Sequence, residues 1–368
     1  MKKMIHLILA LIILCGCSSG NFTIDELKPG NQNTHALPLT AAYENGFYFV
    51  SEDYSSLYYA ENCEQTVFIN DLVYNDDHPV SEKSHYEKYT DSVMPSAIYV
   101  NGGSIYYISH YMNVEGDSSF RMYAMSADGR KRKEIMDFPY QPGQFILHKN
   151  RILCVEYSET DGYVIHVYDE QKKELNAVKE NGPVYHLFAD GNYIYYETQD
   201  VNTLKYRICR YDIDLNKAET AVEIDTGALC FESGGKIAYE ELSQPFLIDT
   251  DPMDITVTSR IVESETMKTL FMVEDERIDY FDEESVYTSS IKESRMVYRI
   301  YDWDGGLKKT IVPSDTITGE SLYYEGWVQQ DYSGMIHIVN GKIIARSSQP
   351  EHYIACETES GMCRVIHE

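Results

Sequence analysis

The sequence predicts an all-β chain folded as a β-propeller, on three observations. A turn of Asn, Asp or Gly followed by β-branched and aromatic residues recurs along the chain. Each copy is usually followed by a second alternating run that ends in a polar turn. No long stretch carries the helical period. One such unit cannot bury both of its faces, whereas a closed ring of them can.

The first copy is Asn45-Gly46-Phe47-Tyr48-Phe49-Val50. The clearest are Asn101-Gly102-Gly103-Ser104-Ile105-Tyr106-Tyr107-Ile108 and Asp190-Gly191-Asn192-Tyr193-Ile194-Tyr195-Tyr196. Asn150-Arg151-Ile152-Leu153-Cys154-Val155 lacks the Gly, and Gly234-Gly235-Lys236-Ile237-Ala238-Tyr239 keeps it. Asp275-Glu276-Arg277-Ile278-Asp279-Tyr280-Phe281 opens on an acidic turn, and Asn340-Gly341-Lys342-Ile343-Ile344-Ala345 is last. Positions 46, 102, 150, 191, 234, 275 and 341 are spaced by 56, 48, 41, 43, 41 and 66 residues. The middle values match the period of a four-stranded blade, about 40–50 residues. Seven blades is the expected count, and the wide end spacings leave six or eight open. The first wide gap holds the charged segment from Asp76 to Met94. The last holds Thr310 to Ser333, with short strands expected at Leu322-Tyr323-Tyr324 and Trp327-Val328.

The second run is clear in four units: Arg121-Met122-Tyr123-Ala124-Met125, Val164-Ile165-His166-Val167-Tyr168, Arg207-Ile208-Cys209-Arg210-Tyr211 and Val297-Tyr298-Arg299-Ile300-Tyr301. Period-two alternation between Asp/Gly turns is the pattern of a hairpin. Phe120 to Gly129 resembles the repeats of uncharacterised bacterial propellers related to the receptor-type Tyr-Trp-Thr-Asp and TolB-like repeats. That resemblance implies the fold and a binding role, with no transferable catalytic residue.

The N-terminus carries a separate signal. Met1-Lys2-Lys3 is followed by an apolar run from Ile5 to Cys15, broken only by His6. This run is too short to span a bilayer and has the length of a signal-peptide core. Leu14-Cys15-Gly16-Cys17 resembles the bacterial lipobox, with Cys15 where Ala or Ser is commoner. The resemblance implies cleavage after Gly16 and acylation of Cys17. It divides the chain into a signal peptide (1–16), a lipidated N-terminus with a polar tether (17–36) and the propeller domain (37–368). The implied location is the bacterial cell envelope, outside the cytoplasm, with the membrane as one partner. Ser18 is not the Asp associated with inner-membrane retention, which leaves the envelope type open.

Composition narrows the partners. The formal charge is −28, and removal of Lys2 and Lys3 makes it −30. Such a surface repels phosphate backbones and anionic lipid head groups, so no nucleic-acid partner is expected. The 32 Tyr against 12 Phe and 2 Trp favour strands. Most fall in the repeated runs, where core packing accounts for them better than sugar stacking does.

Candidate chemistry is sparse. After loss of Cys15 and acylation of Cys17, six cysteines remain: Cys63, Cys154, Cys209, Cys230, Cys356 and Cys363. Cys356 and Cys363 flank a hairpin-like segment and are the candidate disulfide. Cys154, Cys209 and Cys230 sit in strand-like runs as small hydrophobes. No Cys-x-x-Cys or His-Glu-x-x-His is present, so no metal is expected. Asp212-Ile213-Asp214-Leu215-Asn216 begins like a calcium loop but has Lys217 at the position that needs Gly, and reads as a turn, as does Asp302 to Gly306. Gly319-Glu320-Ser321-Leu322-Tyr323 lacks the second Gly of a nucleophile elbow. No catalytic residue and no cofactor are expected. The leading functional reading is a membrane-anchored module that binds a ligand or an envelope protein. A carbohydrate-active hydrolase or lyase, with glycan as the partner, and a scaffold subunit of an envelope complex are the alternatives.

Overall fold

The computed structural model describes residues 24–25, 39–51, 56–71, 97–112, 118–158, 162–203, 205–244, 255–292, 295–313, 323–324, 327–328, 335–348 and 351–367. These residues form seven antiparallel four-stranded sheets, each built from four consecutive strands. The blades span 40–71, 98–138, 142–180, 184–224, 227–274, 277–311 and 335–367. A two-stranded ladder, Tyr323–Tyr324 with Trp327–Val328, lies between the sixth and seventh blades in sequence. The first strands of the seven blades touch in order around the ring, and that of blade 7, Met335–Val339, meets that of blade 1, Thr40–Tyr43. The predicted segment from Asp76 to Met94 lies outside the described residues.

Local chemistry explains the repeated phrase. In the tightest turns between first and second strands, two residues with positive φ match the strand twist. Gly102 and Gly103 adopt this conformation (φ 56° and 74°), as do Asn340 and Gly341 (50° and 68°). Lys149 and Asn150 adopt it without glycine, at 44° and 59°. Blades 1 and 4 show one such residue each, Glu44 (49°) and Gly191 (54°), and blade 6, which shows none, corrects one element of the sequence reading. The run from Arg277 to Phe281 is the first strand of blade 6, not the second. The true turn is Asp282 to Ser285, where the Asp282 carboxylate accepts the backbone N–H of Glu284 and of Ser285, each at 2.8 Å. A side-chain cap replaces the glycine there, which hides the turn from a search for Asn-Gly.

Blades pack face to face through apolar side chains, and the largest fully buried ones include six tyrosines: 107, 123, 195, 196, 211 and 298. Neighbouring blades are also joined by directed hydrogen bonds. Asn70 Nδ2 donates to Gly129 O (2.7 Å), the Gly235 N–H to Asp190 Oδ2 (2.8 Å), and Lys309 Nζ to Glu359 O (2.7 Å). Within the N-terminal segment read as a tether, Ile24 is buried among side chains of blades 2 and 3. Burial of an isoleucine side chain contributes about 1.5–3 kcal/mol.

Blades 1 and 7 draw their described strands from opposite ends of the chain, with no strand exchanged between them. Their junction is made by side chains. Tyr353 packs on Phe47 and Phe49, with ring centroids 5.6 and 4.6 Å apart. Thr40 Oγ1 and His337 Nε2 are hydrogen-bonded at 3.1 Å. Lys342 Nζ and Arg364 Nη2 reach Glu64 Oε1 at 3.2 and 2.8 Å.

Burial lowers the pKa of His337 to about 3, so the folded ring holds it neutral. An unfolded histidine takes up a proton below about pH 6.5. The stability that wild type holds over His337→Gln should therefore be full above pH ~6.5 and shrink as the pH falls, by up to about 1.4 kcal/mol per unit. Urea denaturation of both proteins between neutral pH and pH ~4 measures this, and a constant difference would refute it.

Candidate functional site

Antiparallel order puts the turns between first and second strands, and between third and fourth, on one face of the ring. The second-to-third connections and the passages between blades open on the other. On this passage face the first strands of blades 4, 5 and 6 each carry a bulge, between Tyr185 and Phe188, Leu229 and Phe231, and Ile278 and Tyr280. A bulge leaves an extra residue out of the ladder and bends the strand locally. His186, Cys230 and Asp279 occupy these bulges. His186 adopts φ 51°, a conformation costly for a residue with a Cβ and concentrated at functional sites.

His186 Nδ1 lies 3.3 Å from Glu197 Oε2. Glu197 is 2% exposed, and the same oxygen accepts the backbone N–H of Leu229 in blade 5 at 2.8 Å. The carboxylate is thus fixed by a neighbouring blade and in turn orients the imidazole. Tyrosines surround the pair. The Tyr185 and His186 ring centroids are 5.9 Å apart, and Tyr157 and Tyr163 stand opposite one another at 5.0 Å. Tyr157 is 62% exposed and Tyr185 37%. Burial raises the Tyr185 hydroxyl, and Tyr163, Tyr206 and Glu197 are near enough to raise it further. The result is an aromatic surface with a carboxylate-oriented histidine at its edge. It can stack against a planar or apolar face and hydrogen-bond a polar group beside it.

Blades 5 and 6 carry a buried ionic wall between them. Arg277 Nε is 3.6 Å from Asp279 Oδ1, and Glu240 and Cys230 also act on the guanidinium. Burial pushes the Asp279 carboxyl up to about 7, against the opposing pull of Arg277 and Ser289. Burial also raises the Cys230 thiol well above its ordinary range, which makes it a poor nucleophile. Glu276 is better satisfied, accepting from Arg299 Nη1 (2.6 Å), Thr288 Oγ1 (2.5 Å) and the Tyr301 hydroxyl (3.0 Å). Among the described residues no group of three or more His, Cys, Asp or Glu side chains is arranged to hold a metal ion.

Cys17 lies outside the described residues, as does Ser321. Cys356 and Cys363 face one another in register on the third and fourth strands of blade 7, with Cα atoms 4.0 Å apart, and are disulfide-bonded. Cys63, Cys154, Cys209 and Cys230 are buried thiols. Asp212 caps a turn by accepting the N–H of Asp214 and of Leu215, each at 2.9 Å. Asp302 accepts those of Asp304 and Gly306, at 3.1 and 2.6 Å. Sequence reasoning missed His186 and Glu197. Both sit in strand-like runs, and the bulge that turns His186 toward the carboxylate has no local composition signal.

No protein-family model matches the chain, and no curated protein matches it. Solved structures do resemble it. An uncharacterized protein of Listeria monocytogenes aligns with a TM-score of 0.53 at 10% identity, over 76% of this chain and 84% of that one. The β-propeller domain of the Trilobed protease from Pyrococcus furiosus, described as having an open velcro topology, aligns at 0.49 and 12% identity, over 75% and 83%. TolB from Acinetobacter baumannii aligns at 0.41 and 14% identity, over 77% and 63%. At such identities the likeness is one of fold. This chain is a seven-bladed β-propeller.

The ionic wall makes a pH-dependent contribution that can be measured. Below pH ~3.9 Asp279 is protonated in both the folded and unfolded chain. As the pH rises the unfolded chain releases the proton first, while the buried carboxyl keeps it until about pH 7. Wild type should therefore lose stability relative to Asp279→Asn across that interval, on the order of 1 kcal/mol per unit, with a constant difference above it. Denaturant midpoints at stepped pH test this, and a difference that stays flat from pH ~4 to ~7 would contradict it.

Proposed function

We propose that this chain is a lipid-anchored, extracytoplasmic binding propeller that captures a protein or glycan ligand on its passage face at blades 3 and 4. The observation that carries the reading is the cluster of Tyr157, Tyr163, Tyr185 and Tyr206 beside the His186–Glu197 pair. Large exposed aromatic rings supply contact area at low entropic cost and are common binding anchors. The carboxylate-fixed histidine adds a directed hydrogen bond. Anchoring is supported by the basic start, the apolar run and the lipobox-like Leu14 to Cys17. Two acyl chains at Cys17 would hold the domain at a bilayer, where one chain binds only marginally.

Crosslinked co-purification from intact cells, with the protein and glycan fractions both characterised, tests the binding reading. Tyr157→Ala/Tyr185→Ala should keep the far-UV circular dichroism and melting profile of wild type while reducing recovery of the specific ligand at least tenfold, since two such anchors exceed 1.4 kcal/mol together. Undiminished recovery with the double variant would refute the site. For the anchor, Cys17→Ala should abolish incorporation of labelled palmitate and move the chain out of the membrane fraction. A variant that still takes up the label there would show that Cys17 is not the lipidated residue.

A further inference from the structure

A second feature lies on the opposite face, where the tight turns are. Ile24 is 1% exposed and packs into the core shared by blades 2 and 3. Asp25 lies across the first turns of these blades. Its N–H donates to Asn101 Oδ1 at 2.8 Å, and its carbonyl accepts from Asn101 Nδ2 (2.9 Å) and the Lys149 N–H (3.0 Å). The Asn150 N–H donates to Ile24 O at 2.9 Å. The described pair Ile24–Asp25 is therefore tied to the turn face, and Ile24 stands seven residues after Cys17. Seven fully extended residues reach at most about 25 Å.

Exposed basic residues also lie on this face, in a chain of net charge −28. Arg130, Lys131 and Lys133 come from the outer turn and strand of blade 2, and Lys172 and Lys173 from the outer turn of blade 3. All five are exposed, and Lys149 stands in the first turn of blade 3. Acidic residues stand among them: Asp128 and Glu134 leave the blade 2 turn net basic, whereas Asp169, Glu170 and Glu174 outnumber the two lysines of blade 3. Asp128 Oδ1 accepts from Ser126 Oγ (2.6 Å) and the Arg130 N–H (3.1 Å), and Asp169 Oδ1 from the Lys173 N–H (2.9 Å).

We infer that the turn face of blades 2 and 3 is the membrane-facing side of the propeller, seated on anionic phospholipid head groups. The inference rests on acylation of Cys17. A strap this short keeps that face, and not the passage face, within reach of the bilayer. The basic residues then lie within a Debye length of the head groups, where each attracts anionic lipid. A face carrying the overall acidity of the chain would be repelled. The passage face, with its tyrosines, is left pointing away from the membrane.

Hydrogen exchange on the full-length lipoprotein in vesicles tests the orientation. One preparation contains about one-third phosphatidylglycerol in phosphatidylcholine, and the other phosphatidylcholine alone. The acyl group on Cys17 is first verified by the mass of the N-terminal peptide. Amides of 126–133, 149–151 and 169–173 should exchange at least threefold more slowly in the anionic vesicles than in the neutral ones, with 157–163 and 185–186 unchanged. Arg130→Glu/Lys131→Glu/Lys172→Glu/Lys173→Glu should keep its lipid and lose this protection. Protection centred on 157–163, equal protection in both vesicle types, or none in a lipidated sample would overturn the inference. A peptide without acyl groups would instead refute the anchoring reading. Flotation of that unlipidated chain with the anionic vesicles at low salt then decides the face. Co-flotation that the charge-reversed variant loses supports it, and absence of co-flotation overturns it.

Discussion

Closure of the ring between blades 1 and 7 is the contact on which the rest of the propeller depends. Six of the seven junctions join blades adjacent in sequence, so the polypeptide itself limits their separation. The seventh is held by side chains, and magnitudes indicate which of them matter most. Glu64 is half-exposed, so solvent screening leaves its pairs with Lys342 and Arg364 a minor share of the seam. The ring contacts of Tyr353 with Phe47 and Phe49 are buried, and truncating an aromatic residue at such a position costs about 3–5 kcal/mol. The seam is thus principally apolar. The His337–Thr40 bond sets its register and makes it sensitive to acid. If any junction opens without global unfolding, this one has the least chain connectivity to restrain it.

The abundance of tyrosine follows from the same packing problem. A blade interface needs large flat side chains, but its rim is wet and lined by backbone carbonyls and carboxylates. Phenylalanine would fill the interior and leave those groups without partners. Tyr48 packs in the core and donates its hydroxyl to Ala127 O in the next blade at 3.0 Å. Tyr196 is fully buried and donates to Glu180 in the preceding blade at 2.7 Å. Tyr107 accepts from Arg132 at 3.0 Å. One residue type supplies both the apolar area and the directed contact.

These two demands separate what was legible in the sequence from what was not. Hairpin turns need particular backbone angles, so they leave a trace in composition, and the repeated Asn/Gly phrase marked six of the seven first turns closely. Blade 6 escaped because Asp282 caps its turn from the side chain. At Asp275, φ 56° in the passage between blades 5 and 6 produced a similar-looking signal one strand early. The candidate site left no such trace. His186 meets Glu197 only because a bulge rotates it out of the alternation, and Glu197 is fixed by a backbone N–H 32 residues away. Tyr157, Tyr163, Tyr185 and Tyr206 look like core tyrosines by pattern. They are distinguished only by standing at strand ends on the passage face. Cys356 and Cys363 were legible as a pair because seven residues and one turn separate them.

The two faces are constrained unequally, and this bears on how such a chain can divide its functions. On the turn face, short hairpins with positive-φ residues leave little freedom for specific side-chain constellations. Charge is the property most easily placed there, because lysine and arginine are tolerated at turn edges with any partner. On the passage face, connections can lengthen, and bulges re-aim side chains without breaking the sheets. A fixed aromatic and histidine constellation can therefore form only on that side. A sequence-nonspecific contact, such as one with head groups, suits the turn face, and selective recognition suits the passage face. The strap at Ile24 and Asp25 is compatible with this division, since it ties the N-terminal segment to the face that has the least capacity for selective binding and leaves the other accessible.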